Sequence, residues 1–355
     1  MAEKNYKAIV IGCGRGGENI GVHSIGYVHG KAYLRHSRIE LTGACDLDPT
    51  NLDRFCEHFS VPNKMSDSEE LLRRLRPQIV SLCTYVGSRS ALIEASIRNG
   101  ARAIWCEKPF SLTIQEGRRL VALCEENDVK LVINHYRRYL DLWNRAKKLL
   151  KDGEIGELEV VYGSFDGWDQ MEMGTHLLDM IRYLMDDEPV SWVMGQVRCT
   201  GAKNLYGHKV EEHSVCYLAF ENGVRGFYDG SRPFPGKSLF RLNGSQGYIE
   251  IFLEGEIILV NARGLTRVIA DSDWSHPKEN GRDPFQDLLD DFLGWMEGGE
   301  PPRINGRSGL ASTEVYLACY ESSKRRDRID LPLAEQDGFP LDAIAALGRK
   351  SFNNI

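Results

Sequence analysis

The sequence predicts two domains of different construction. Residues 1–130 read as a doubly wound, mostly parallel α/β domain, and residues 131–355 as an α+β domain with a large, mainly antiparallel sheet. Three observations carry this. Short β-rich runs alternate with helical segments through the first part, which implies a parallel sheet with crossover helices. A glycine-rich turn directly follows the first of these runs. Beyond about residue 150, one helical segment gives way to a succession of β-like runs separated by turn signals.

Taken in order, Ala8-Ile9-Val10-Ile11 reads as a buried strand and Ile39 to Cys45 as a second. Ile79 to Leu82, Ala103 to Trp105 and Leu131 to Ile133 follow. Ala91 to Arg98 is helical and stopped by Asn99-Gly100. Thr113 with Glu116 three residues on is a capping-box signal for another helix. In the second part Met173 to Leu184 is helical. The β-like runs are Trp192 to Cys199, His213 to Phe220, Val224 to Ser231, Gly247 to Ile251 and Ile257 to Val260. Asn222-Gly223 predicts a tight hairpin, because type I′ turns need positive φ at both central residues. Pro284 to Glu297 and Gly309 to Ser323 are helical again. No internal repeat or low-complexity tract interrupts the pattern.

Bulk properties narrow the function classes. A chain of 355 residues exceeds one ordinary core. With 42% hydrophobic and 27% charged residues it has an average globular composition. A net charge of −7 gives no footprint for nucleic acid. The basic cluster Lys324-Arg325-Arg326 reads as a solvated helix end. No apolar run reaches bilayer length, and the polar stretch Met1 to Lys7 has no signal-peptide character. Nine cysteines without a CxxC pair suggest reduced thiols, so a cytoplasmic location is expected. No metal site is expected.

Gly12-Cys13-Gly14-Arg15-Gly16-Gly17 matches GxGxxG after the first strand, the phosphate-cradling turn of a dinucleotide-binding Rossmann domain. Gly12, Gly14 and Arg15 are therefore cofactor-binding candidates. The third glycine is either Gly17 or Gly26. The fingerprint places an acidic residue about twenty positions onward. Asp46 stands at that distance from Gly26 and too far from Gly17, which favours Gly26 as the helix opener. Residues from about Gly16 to Ser24, including Glu18 and His23, would then be an insertion near the cofactor. Asp46 would accept hydrogen bonds from the adenine ribose and repel a 2′-phosphate, favouring NAD over NADP. The alternative is Asp46 or Asp48 as a helix cap beside Pro49.

Glu107-Lys108-Pro109 ends the apolar run Ala103-Ile104-Trp105-Cys106. A lysine at the carboxyl end of a buried strand faces the crevice where a cofactor's reactive end rests. In the second part, Glu172 and His176 stand at i and i+4 on one helix face, if the helix begins early enough, with Asp179 at i+3 from the histidine. A histidine flanked by carboxylates suits proton abstraction from an alcohol; the alternative is a packed histidine with Glu172 as a first-turn helix acid. Asp166, Trp168 and Asp169 precede that helix, and an aromatic beside carboxylates suits a polyol. Trp168 as ordinary core, and Arg137 as a structural ion pair, stay open as alternatives to substrate contact.

Five runs occur in order: Ile-Gly-Tyr-Val-His-Gly-Lys-Ala-Tyr (25–33), Cys-Asp-Leu-Asp-Pro (45–49), Cys-Glu-Lys-Pro-Phe (106–110), Asn-His-Tyr-Arg-Arg-Tyr (134–139) and Gly-Thr-His-Leu-Leu-Asp (174–179). Together they resemble the Gfo/Idh/MocA oxidoreductases over nearly the whole chain. The resemblance implies that Lys108 is the active-site lysine bonding the reacting oxygen and that Glu107 helps hold the nicotinamide end. It places Thr84 where the backbone passes the cofactor, and makes His176 the group that takes the hydroxyl proton. Glu172 stands where inositol dehydrogenases have an aspartate. Tyr85 and Arg89 replace the proline and histidine often found after the fourth strand, altering the nicotinamide-side wall.

The expected activity is reversible oxidation of a secondary alcohol on a sugar, inositol or related polyol with NAD, in a homodimer or homotetramer formed through the second sheet. Two other readings compete with it. One is a redox-type glycosidase with tightly held NAD; the other is a catalytically silent nucleotide-sensing regulator.

Overall fold

The computed structural model describes residues 6–15, 25–165, 169–205, 207–230, 239–270 and 283–352. Its elements in chain order begin β1 (Tyr6–Ile11), α1 (Ile25–Arg35), β2 (Ile39–Cys45), α2 (Pro49–Phe59), β3 (Asn63–Met65) and α3 (Ser68–Leu75). β4 (Ile79–Leu82), α4 (Val86–Arg98), β5 (Ala103–Cys106), α5 (Ile114–Glu126) and β6 (Lys130–Ile133) complete the alternating part. Then come α6 (Asp141–Lys151), β7 (Leu158–Ser164), α7 (Thr175–Leu184), β8 (Val190–Arg198), β9 (Asn204–Leu205), β10 (His208–Lys209), β11 (His213–Phe220) and β12 (Arg225–Asp229). β13 (Phe240–Gly244), β14 (Gly247–Ile251), β15 (Glu256–Asn261), β16 (Gly264–Ile269), α8 (Pro284–Met296), α9 (Gly306–Arg325), β17 (Ile329–Asp330) and α10 (Pro340–Phe352) follow.

The chain forms two compact units. The first contains a parallel six-stranded sheet in the order β3-β2-β1-β4-β5-β6. Its central strands are largely apolar runs because helices cover both faces; Ile9, Val10, Ile79, Val80, Ile104 and Trp105 are wholly buried. The order reverses between β1 and β4, so the carboxyl ends of these strands open a crevice at the switch point. Caps set the helix entries. Asp48 accepts from the backbone of Thr50 and Asn51 to start α2, and Asp67 from Glu69 and Glu70 to start α3. Gly100, at φ +86°, turns the chain out of α4 as the Asn-Gly signal predicts.

This unit extends through β6 to Tyr136 and also takes in the stretch ending at Gly309. Phe285 of α8 packs against Trp105 and Tyr136, and Ile133 donates its backbone N–H to Ile304 O. Helix α8, grouped by the sequence reading with the second domain, therefore belongs to the first unit. Its apolar face was legible from the pattern, but the strand it covers was not.

The second unit is built on a nine-stranded sheet, β16-β15-β14-β13-β7-β12-β11-β8-β17. Every strand pair in it is antiparallel except β12 with β7. The β11–β12 hairpin turns through Glu221-Asn222-Gly223 between Phe220 and Val224; only Gly223 takes positive φ (+87°), so the expected type I′ turn gives way to a three-residue loop, with Val224 N–H donating to Asn222 Oδ1. Inward residues of β11 (Ser214, Cys216, Leu218, Phe220) are buried beneath helices. The opposite face carries a row of half-buried rings, Trp192, Tyr217 and Phe227, with centroids 5.0 and 4.9 Å apart. Helix α9 lies close on β8, since a Cβ on Gly195 would sit 2.3 Å from Cys319 Sγ. Its Ser322 and Ser323 hydroxyls accept the outward backbone N–H groups of Gly195 and Val197.

Candidate active site

The glycine turn after β1 is shaped for close backbone approach. Gly12 has φ +93°, and a Cβ there would lie 2.7 Å from the Cys83 carbonyl; Gly14 has φ +75°. Helix α1 begins at Ile25, and a Cβ on Gly26 would meet Gly12 O at 2.5 Å and Cys13 O at 2.8 Å. Gly26 thus performs the helix-to-strand packing expected of the third fingerprint glycine. Arg15 is exposed beside the turn. Gly17, Glu18 and His23 lie outside the described residues.

Of the two aspartates left open as helix cap by the sequence, Asp48 is the one that takes that place. Asp48 caps α2, whereas Asp46 Oδ2 accepts the backbone N–H groups of Cys13 (2.8 Å) and Gly14 (3.2 Å). The carboxylate is therefore set at the carboxyl end of β2 against the turn. Thr84, following β4, has its backbone N 3.0 Å from the Cβ position of Gly12, so the two turns touch.

At the end of β5, Glu107 is buried and Lys108 half-buried, joined to Pro109 by a cis peptide. Glu107 Oε1 accepts from His29 Nε2 (3.1 Å) and from the Asn134 amide, and Oε2 accepts the Lys108 N–H (3.2 Å). Burial drives the Glu107 carboxyl upward, but these hydrogen bonds and the nearby Lys108 charge outweigh it and hold it below the usual carboxylate range. His29 is depressed by full burial, more than Glu107 restores it, so the imidazole is neutral. With Nε2–H given to Glu107, Nδ1 accepts from Ser81 Oγ at 2.8 Å, and Ser81 accepts from Tyr33 OH at 2.7 Å. His29 also stacks on Trp105 with centroids 3.6 Å apart. This chain was not foreseen; the signal was a His and a Tyr at i and i+4 on one helix.

The remaining predicted residues belong to the second unit. A π-type turn, Gln170–Gly174, runs directly into α7, so the helical segment begins early enough to include both Glu172 and His176, each buried. Asp169 is buried as well. Its Oδ1 accepts the Glu172 N–H at 2.9 Å and its Oδ2 pairs with Lys203 at 3.1 Å. Both oxygens are thus engaged in shaping the turn. Asp179 faces inward: Arg138 grips it through Nε (2.9 Å) and Nη2 (2.8 Å), and Ser312 donates to it at 2.7 Å. It anchors α7 one turn after His176, and its committed oxygens do not suit it to the substrate contact expected of it. Arg137 is buried, and its Nε meets no acceptor among the described residues. Asp166 and Trp168 lie outside the described residues.

Beside the turn, Glu211 accepts from Gln170 N–H (2.7 Å) and Tyr320 OH (3.0 Å). Complete burial, reinforced by the Asp169 charge, pushes its carboxyl up to about 7. Among the described residues no group of three or more His, Cys, Asp or Glu could hold a metal, and no helix is long and apolar enough to cross a membrane.

Comparison with known proteins agrees with this construction. Residues 7–135 match the GFO_IDH_MocA family, described as an oxidoreductase family with an NAD-binding Rossmann fold, and residues 143–250 match the GFO/IDH/MocA C-terminal domain. The chain is 23% identical to D-apiose dehydrogenase of Paraburkholderia graminis, covering 94% of this chain and 92% of that one. It is 24% identical to myo-inositol 2-dehydrogenase of Thermotoga maritima, covering 88% and 97%. Among solved structures, levoglucosan dehydrogenase in complex with NADH superposes with a TM-score of 0.77 at 19% identity, covering 93% of this chain and all of that one. The strand order, the glycine turn, the Glu107-Lys108 strand end and both domain matches place this chain in the Gfo/Idh/MocA oxidoreductase family.

Proposed function

We propose that this protein is an NAD-dependent dehydrogenase that oxidises a secondary alcohol of a sugar, inositol or related polyol. The observation that carries the reading is the Glu107-Lys108 strand end, where a buried carboxylate held ionised by its hydrogen bonds and the Lys108 charge adjoins a lysine at the carboxyl end of β5, one strand from the switch point. The relatives named for D-apiose and myo-inositol support the substrate class.

The residues present fit the dinucleotide. Gly12 and Gly26 let the turn, α1 and the end of β4 approach one another more closely than any Cβ would allow, as a pyrophosphate-binding turn requires, and Asp46 sets a carboxylate at the end of β2 with no basic residue in Leu47-Asp48 to receive a 2′-phosphate. Gly12, Gly14, Arg15, Gly26, Asp46 and Thr84 would hold it, with Glu107 at the nicotinamide end. When bound, NAD supplies the hydride acceptor. Lys108 polarises the substrate oxygen as a fixed cation. His176 removes the hydroxyl proton, and Glu172 orients the imidazole and favours its protonated product. Arg137, a buried guanidinium with a donor to spare, suits a further substrate oxygen. The half-buried aromatic face of the nine-stranded sheet suits association of two or more copies.

A panel of aldoses, apiose, inositols and their keto forms, assayed with NAD and NADP by the absorbance of reduced nicotinamide, tests this reading. Lys108→Met and His176→Ala should each lower single-turnover hydride transfer by roughly a hundredfold or more. Full rates in either variant remove that residue from the mechanism. Net glycoside hydrolysis without accumulated NADH would favour the glycosidase reading instead.

A further inference from the structure

Arg89, in the first turn of α4, is 3% exposed. Its Nε (3.1 Å) and Nη2 (2.7 Å) both donate to Thr84 O, and Nη2 also donates to Lys108 O at 3.1 Å. Its Nη1 meets no acceptor, and no carboxylate pairs with it, among the described residues. A buried cation compensated only by carbonyls is a poor stabiliser, and an apolar side chain of similar volume would cost the core less. What a guanidinium adds is a rigid, planar fork that can serve two acceptors at fixed separation.

The two acceptors belong to the turns after β4 and β5, adjacent strands whose ladder ends with Leu82 opposite Cys106 and the Glu107 N–H on Leu82 O. Lys108 O lies beyond that last rung. A neutral imidazole, with one N–H, could not donate to both carbonyls.

We propose that Arg89 is a positioning residue that clamps the Thr84 turn to the Lys108 main chain and so fixes where the lysine stands beside the nicotinamide. The clamp rests on the reading of Lys108 as the group that meets the reacting oxygen. It acts through the backbone, touching neither substrate nor hydride, and it belongs to this sequence's own departure at position 89.

The test uses the full chain with Arg89→Met and Arg89→Lys. Three properties are read for each: the urea midpoint, the Kd for NAD+ by calorimetry, and the rate of Lys108 acetylation by acetic anhydride relative to exposed Lys148, followed by peptide mass spectrometry. The expected result is an unchanged or higher urea midpoint in Arg89→Met, with Lys108 acetylated about threefold faster and NAD+ bound about fivefold more weakly. Arg89→Lys, which keeps the charge but loses the fork, should fall between. Acetylation and NAD+ affinity within about twofold of the parent in both variants would overturn the clamp. So would losses that only track a fall in the urea midpoint. The labelling needs no turnover, so a failure of the dehydrogenase reading, seen as full activity in Lys108→Met, is distinguishable from a failure of the clamp.

Discussion

His29 and Glu107, on different elements of the first unit, share one hydrogen bond of 3.1 Å in which a neutral imidazole supports an ionised carboxylate. Removing the imidazole leaves that anion buried with a donor fewer. His29→Leu should destabilise the protein by about 1–3 kcal/mol, measured by urea denaturation. It should also raise the Glu107 carboxyl pKa and weaken binding of NAD+, whose nicotinamide is cationic, more than binding of NADH. His29→Gln, which keeps a donor, should restore most of the NAD+ preference.

Gly26 has no room for a side chain. Gly26→Ala drives a methyl against Gly12 O and Cys13 O. The expected strain is about 1–3 kcal/mol. Calorimetry should show NAD+ affinity falling about tenfold or more, because the displaced carbonyls belong to the cofactor turn.

Asp179 and Arg138 form a buried pair, and removing one partner strands the other. Asp179→Asn should lower stability by about 3 kcal/mol, read from denaturant unfolding. Asp187, which also pairs with Arg138, keeps the loss from being larger. Hydrogen exchange along α7 should rise with it, and activity should fall through the displaced His176.

Glu211 gives the stability curve a pH signature. Its folded value of about 7 lies above the ordinary 4.5, so the folded state holds a proton that the unfolded chain has released. Its contribution is therefore greatest below the unfolded value and declines as pH rises from 4.5 toward about 7. Glu211→Gln mimics the protonated form and should flatten the decline, by at most about 3 kcal/mol at pH 8. Denaturation midpoints of both proteins across that window provide the measurement.

The parallel strands were readable because burial on both faces makes them continuous apolar runs, as in Ala8 to Ile11 and Ala103 to Trp105. β3 escaped because three residues, two half-buried and Lys64 exposed, carry no period. β7 and β13 were missed for another reason: Leu158–Ser164 lies mid-sheet but shows only partial burial, and its Gly163 sits under the Phe240 ring of β13. Around the candidate site, the strand end before Lys108 and the helix start at Gly26 could be placed by position along the chain. The partners of Asp179 and Glu107 could not, since Arg138 and His29 are brought to them by tertiary packing alone. Asp169, which precedes the helix, and Asp179, on it, read as substrate candidates from their neighbours in sequence, whereas their partners Lys203, Arg138 and Ser312 lie far along the chain and are not legible there.

The serines of α9 that occupy the free N–H groups of β8 have a consequence for growth. Together with the two-residue β17 they cover the β8 margin of the nine-stranded sheet, while at the other end β16 pairs only with β15 among the described residues. A strand arriving there from another molecule would find the Gly195 and Val197 donors already taken, so lengthening the sheet at the β8 margin would forgo two ladder bonds.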